Sequence, residues 1–155
     1  MPLLDRHRVA RLVELSALER VAQGAERLRG ARVFPLGALT RTLAGQVLTE
    51  MVELTDSGCV GFSQAQVPLV DTQVLLRALQ YAGTFDYGVW LRPQDAHLGR
   101  GVAASGPLAT RLGLSGIPVL AESIAVYTLV ELVRATRTRV HLCRLSSAAG
   151  LELVR

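Results

Sequence analysis

The residues best placed for chemistry follow one short apolar run. Val89-Trp90-Leu91 reads as a buried strand, and Pro93 then forces a sharp exit. Arg92, Gln94, Asp95 and His97 follow in a polar loop that continues into Gly99-Arg100-Gly101. In α/β proteins the loops at the carboxyl ends of strands carry the chemistry, so what Arg92 does here decides whether the chain is an enzyme. The three histidines do not supply a metal site by spacing. His141 lies two residues from Cys143 and three from Arg144, which by strand alternation turns it to the opposite face from Arg144 and makes it a packed strand residue. His97 falls in the loop and His7 on an exposed helix. Gly99-Arg100-Gly101 lacks the third glycine of a dinucleotide fingerprint, and a chain without lysine has no Walker lysine.

The elements that position these residues alternate. Residues 5 to 28 carry Val9, Leu12, Val13, Ala17 and Val21 at helical spacing, with Asp5 as N-cap and Gly30 just past the end. Arg32 to Leu36 reads as a strand stopped by Pro35 and Gly37. Gln46 to Ser57 is a second helix, with Val47, Leu48, Met51, Val52 and Thr55 on one face, closed by Gly58. Cys59 to Phe62 is a second strand, ending in the loop Ser63-Gln64-Ala65-Gln66. Asp71 or Thr72 caps a helix with the stripe Val74, Leu75, Ala78, Leu79 and Ala82.

After the third strand, Val89 to Leu91, residues 92 to 117 form a stretch too long for an ordinary connection, and so functional or irregularly packed. Pro118 opens a helix carrying Ala121, Ala125, Thr128, Leu129 and Leu132. A fourth strand, Arg139 to Cys143, leads to Ser146-Ser147 as the cap of a final helix. Strands alternating with helices imply a parallel sheet, either a small doubly wound sheet or part of an eight-stranded barrel.

Composition bounds the class. The 155 residues, half of them apolar, suffice for one domain over 1–155. The net charge of +4 comes from arginine alone, scattered apart from Arg27, Arg29, Arg32 and Arg134, Arg137, Arg139. No aromatic residues interleave with these, which argues against nucleic acid and for a solvated basic surface. No apolar run approaches the roughly 20 residues of a membrane span, and Met1 to Asp5 has no secretory pattern. Cys59 and Cys143 sit in apolar runs, as suits reduced, buried thiols in the cytoplasm.

Several runs resemble dihydroorotases, members of the amidohydrolase superfamily. They are Val33 to Thr40, Glu50 to Leu54, Gly58 to Ser63, Arg111 to Pro118 and Val140 to Ser147. The resemblance covers essentially the whole chain. It implies a partial (β/α)8 TIM barrel, about strands 3 to 6, in a family whose zinc site lies at the strands' carboxyl ends and opens or closes the cyclic amide of dihydroorotate. The His-x-His pair of the first strand and the catalytic aspartate of the eighth have no counterpart here.

At the covered metal-associated positions the chain departs from the pattern. Gln64 stands for an aspartate, Arg92 for the fifth-strand histidine and Arg144 for the second histidine of the sixth strand. A guanidinium has five donors and no acceptor, so it repels a cation instead of binding it, and without metal there is no activated water. The expectation is therefore no catalytic residue, no metal residue and no zinc.

The variants Arg92-Pro93-Gln94-Asp95 and His141-Leu142-Cys143-Arg144 are most similar to the noncatalytic branch of the family. That branch implies a structural partner of the aspartate carbamoyltransferase catalytic chain, in the cytoplasm, and four strands of an eight-stranded barrel leave two open sheet edges that favour self-association. The alternative is a zinc-dependent dihydroorotase, or another cyclic-amide hydrolase, whose ligands lie outside this stretch. Arg92 and Arg144 are expected to be satisfied by Asp95, Gln64, Gln94 or backbone carbonyls, or else to bind a carboxylate or phosphate at degenerate positions comprising Gln64, Arg92, Asp95 and Arg144.

Overall fold

The computed structural model describes residues 33–155. The first helix, its Asp5 cap, His7 and the cluster Arg27, Arg29, Arg32 lie outside the described residues. Among the described residues there are six short strands: β1 Gly37–Ala38, β2 Phe62–Ser63, β3 Val89–Leu91, β4 Ala103–Ala104, β5 Gly116–Ile117 and β6 Val140–Leu142. The helices are α1 Met51–Asp56, α2 Thr72–Thr84, α3 Pro107–Arg111, α4 Leu120–Thr136 and α5 Ala148–Val154.

The main sheet is wholly parallel, in the order β1-β2-β3-β6, with β4-β5 as a separate parallel pair. Its strands follow one another in chain order with no reversal, which is the winding of a barrel. A doubly wound sheet reverses order at a switch point, so that option is set aside.

Register explains the two faces. Phe62 pairs with Val89 and Val89 with Val140, so these side chains share a face. There they meet Leu75, Ala78, Leu79 and Ala82 of α2 and Leu129 of α4 in one buried cluster. The other row is Ala38, Ser63, Trp90 and His141. Burial falls along it from Ala38 and Ser63, both buried, through half-buried Trp90 to exposed His141 at the edge of the described sheet. His141 is therefore not the packed residue that alternation suggested; its ring lies 6.2 Å from that of Trp90.

The helix α2 matches its pattern closely. Asp71 caps it, its Oδ1 accepting from the amides of Gln73 at 2.8 Å and Val74 at 3.3 Å. Its buried residues are Leu75, Ala78, Leu79 and Ala82. Thr138, also buried, donates to the Leu79 carbonyl at 2.6 Å and fastens the entry of β6 to this helix.

Elsewhere the boundaries move. The first strand is Gly37–Ala38 and not residues 32–36, because Pro35 has no amide for the ladder, whereas Gly37 donates to Gly61 and Leu39 to Ser63. A Cβ on Gly37 would stand 2.7 Å from the Phe62 ring, so the residue that was read as a stop is what lets the two strands close. The second helix shrinks to Met51–Asp56. An antiparallel bridge between Thr40 and Leu48, with Thr49 bonded back to Leu39, keeps residues 46–50 out of the helix and leaves Val47 exposed. The second strand lies at Phe62–Ser63 instead of 59–62, so Ser63 and Gln64 are buried and not loop surface.

Residues 92–117 are not irregular. They hold a 3-10 turn, Leu98–Arg100, followed by β4, α3 and β5. Helix α4 starts at Leu120, two residues after Pro118, and also buries Val126. Cys59 is a buried free thiol whose pKa burial pushes up to about 11. Cys143 is free but only half-buried, just past the end of β6.

Gly61 marks the tightest approach between the two central strands. An added Cβ would collide with the Trp90 ring and stand 2.9 Å from the Gly88 carbonyl oxygen. Gly61→Ala is expected to lower stability by about 1–3 kcal/mol in denaturant titration. Gly106→Ala, which meets nothing within 4 Å, should stay within about 0.5 kcal/mol.

Candidate functional site at the strand ends

Parallel strands end together, so the carboxyl ends of β1, β2, β3 and β6 gather at one side of the sheet. Of the six non-glycine residues with left-handed φ among the described residues, four lie there, while Asp86 and Arg137 precede β3 and β6. Thr42 and Leu43 after β1, Ala65 after β2 and Arg144 after β6 all have left-handed φ, between 53° and 62°. Each costs roughly 1–3 kcal/mol, a strain typical of sites where direction of the chain matters.

Arg92 continues the row of Trp90, and the ladder runs past it, with Cys143 donating to the Leu91 carbonyl at 2.8 Å. Alternation would send Arg144 to the opposite face. Its φ of 62° turns the chain out of the strand instead, and Arg144 lines the same cleft as Arg92. That cleft has a volume of about 550 Å³ and is closed on one side by Ala104 and Ser105 of the insertion and Ile117 of β5. A smaller cavity of about 200 Å³, between β3, the loop before α2, and α4, is lined by Gln64, Arg92 and Asp95. Arg92 thus stands between the two spaces.

The acceptors expected to satisfy the arginines are engaged elsewhere. Gln64, 2% exposed, takes a hydrogen bond from the Thr40 hydroxyl at 3.0 Å on Oε1 and donates from Nε2 to the Leu43 carbonyl at 3.0 Å. It ties the end of β2 to the loop after β1. The Asp95 carboxylate accepts from the Leu98 amide at 2.8 Å and the His97 amide at 2.9 Å, and these bonds hold its pKa below the usual carboxylate range. Asp95 is therefore a cap for the turn Leu98–Arg100 and not the counter-ion of Arg92. Gln94 donates to the Gly99 carbonyl at 3.0 Å. Among the described residues, Arg92 and Arg144 make no side-chain hydrogen bond or ion pair.

One member of the cleft had no counterpart in the sequence reading. Glu122, in the first turn of α4, accepts four hydrogen bonds. Oε2 takes the Ser146 amide at 2.8 Å and hydroxyl at 2.6 Å, and Oε1 takes the same two groups of Ser147 at 2.8 and 2.6 Å. Burial pushes the Glu122 pKa up, but the hydroxyls and amides of Ser146 and Ser147 outweigh it and hold the carboxyl below its ordinary value. Ser147 also caps α5, accepting from the Gly150 amide at 2.9 Å. The Ser-Ser cap was legible as a helix start; its partner, 24 residues away, was not.

The residues at the metal-associated positions do not fit zinc. The metal takes lone pairs from imidazole, carboxylate or thiolate, and two guanidinium groups offer none. The Gln64 oxygen already accepts from Thr40. Among the described residues, no group of three or more His, Cys, Asp or Glu could hold a metal ion, and no helix is long and apolar enough to cross a membrane.

The fold is similar to that of L-hydantoinase (dihydropyrimidinase) from Arthrobacter aurescens, with a TM-score of 0.65 at 16% identity, over 92% of this chain and 33% of that one. Parallel strands wound in chain order, with this likeness, define an α/β chain that forms part of a TIM barrel. In sequence, the chain is 42% identical over 154 residues to a dihydroorotase-like protein of Pseudomonas aeruginosa, covering 99% of this chain and 34% of the relative. A dihydroorotase-like protein of Pseudomonas putida matches at 39% over the same shares. The dihydroorotase of Anaeromyxobacter sp. (strain K) is 40% identical over 126 residues, 81% of this chain and 29% of the relative. The chain fits the dihydroorotase family of the amidohydrolase superfamily. No protein-family model matches it. It spans about a third of the length of the curated relatives it matches.

Glu122→Gln removes the charge from four hydrogen bonds. It is expected to cost about 1 kcal/mol at neutral pH and to speed amide exchange at Ser146 and Ser147. Because the folded pKa lies below the unfolded one, the wild-type advantage is present above the ordinary carboxylate range and fades as pH falls through the depressed value. Equal stability of the two proteins at pH 7 would contradict the clamp.

Proposed function

We propose that this chain is part of a noncatalytic dihydroorotase-like protein of pyrimidine biosynthesis that serves as a structural partner of the aspartate carbamoyltransferase catalytic chain in the cytoplasm. The observation that carries the reading is the pair Arg92 and Arg144, standing where the family pattern has histidines and facing one cleft. Two permanent cations exclude a metal cation from that space by repulsion and by lack of lone pairs. On this reading the protein holds no zinc, activates no water and acts through its surface. The relatives at 42% and 39% identity carry the name dihydroorotase-like protein, which supports the same side.

A hydrolytic reading rests on the 40% identity to the Anaeromyxobacter dihydroorotase. In it, segments outside this stretch would supply the ligands of a zinc-dependent dihydroorotase or another cyclic-amide hydrolase. The edges of β1 and β6 are unpaired among the described residues, so self-association belongs to either reading.

The test is size exclusion with light scattering on the full-length protein, alone and mixed with the aspartate carbamoyltransferase catalytic chain of the same organism. One co-eluting species of defined mass is expected, with no turnover of dihydroorotate or carbamoyl aspartate by the protein alone. Separate elution would remove the partner role, and turnover would establish the hydrolase.

A further inference from the structure

We propose that the cavity on the helix side of β3 is a socket for the β4-α3-β5 unit of a second copy of this chain. Its floor is Leu75, Leu91 and Leu129, all buried in the core, and its rim includes Val67, Val70 and Ile124, all exposed. Its volume of about 200 Å³ lies below the roughly 300–1,000 Å³ of small-molecule sites and suits protein side chains. Exposed aliphatic residues around an apolar depression are what a protein interface covers. The cavity also lies over β3, which is paired on both sides, by β2 and by β6. Strands added at either edge of the sheet therefore do not lie over it.

Charge and shape choose the occupant. Asp95 lines the cavity, and Asp71 stands beside the rim between Val70 and Thr72. Each uses Oδ1 on backbone amides, Asp71 on Gln73 and Val74 and Asp95 on His97 and Leu98. Their Oδ2 atoms have no partner among the described residues. Arg92 lines the cavity too, so two carboxylates face one guanidinium there. The complement stands on the same chain. Leu108 and Leu112, one turn apart on α3, are exposed, and so is Arg111 beside them. Ala109 is the buried residue of that helix, which leaves both leucines uncovered. From Ala96 to Ala121 the chain has no carboxylate, and its permanent charges are Arg100 and Arg111. The leucines supply an apolar knob, and Arg111 a donor for the free carboxylate oxygens. This contact is separate from the partner role, and its readout involves no other protein.

Sedimentation velocity of the full-length protein alone, over a concentration series, tests it. The wild type is expected to self-associate. Leu112→Asp on the knob and Ile124→Asp on the rim should each raise the dissociation constant about tenfold or more, since each forces a charge into an apolar contact. Both side chains are exposed, so the fold of either variant should melt as the wild type does. Mixing the two variants should restore association, because the first keeps its socket and the second its knob. Arg111→Glu should also weaken association, by less as salt rises. A wild type that stays a single chain, variants that associate as the wild type does, or a mixture no tighter than either variant alone would each overturn the proposal.

Discussion

A guanidinium keeps its charge at any pH a protein meets and can only donate hydrogen bonds. Two of them at the carboxyl ends of parallel strands set the terms for everything around them. An imidazole in either place could lose its proton and turn a lone pair to a cation; Arg92 and Arg144 cannot. Three neighbouring polar groups have structural tasks of their own. Gln64 braces two strand ends, Asp95 caps a turn and Glu122 fastens the start of α5. The polar machinery of a barrel mouth is present in outline, but its acceptors hold the backbone and its donors face the cleft.

The fold produces this arrangement through register. Phe62, Val89 and Leu91 commit one face of the sheet to α2 and α4, which leaves Trp90, and after it Arg92, on the other. The tight pairing at Gly37 and Gly61 keeps the strands close enough for that alternation to hold to the strand ends. The small β4-α3-β5 unit then returns the chain as a wall of the cleft, with Ala104, Ser105 and Ile117 on its border. Arg144 joins Arg92 only because the chain leaves β6 through a left-handed residue. The hydrogen bonds of Glu122 to the next two serines hold that exit in place.

Strong local signals were legible in the sequence. The stripe of α2 with its Asp71 cap, the strand Val89 to Leu91 and the Ser147 cap stand where spacing puts them, because burial and capping there are decided within one element. The errors came where a distant contact decides. Residues 46–50 have helical spacing, but the Thr40–Leu48 bridge and the Thr49 bond to Leu39 keep them out of the helix. Pro35 and Gly37 look like breakers, yet the strand begins at Gly37 because Phe62 covers it. Residues 92–117, rich in glycine and alanine, carry too little periodicity to show two strands of two residues each. At the site, the identities of Gln64, Arg92 and Arg144 were legible through the family resemblance. Their partners were not, since Asp95 and Gln64 turned to backbone and hydroxyl donors and the Glu122 clamp spans 24 residues.

A mouth lined by Arg92 and Arg144 should be closed to divalent cations whatever completes the barrel around it. Metal analysis by plasma mass spectrometry tests this most directly, on the full-length protein purified without chelator and dialysed against zinc-containing and then metal-free buffer. The expected result is far less than one zinc per chain. Zinc retained at one or two per chain would contradict it and return the cleft to hydrolytic chemistry.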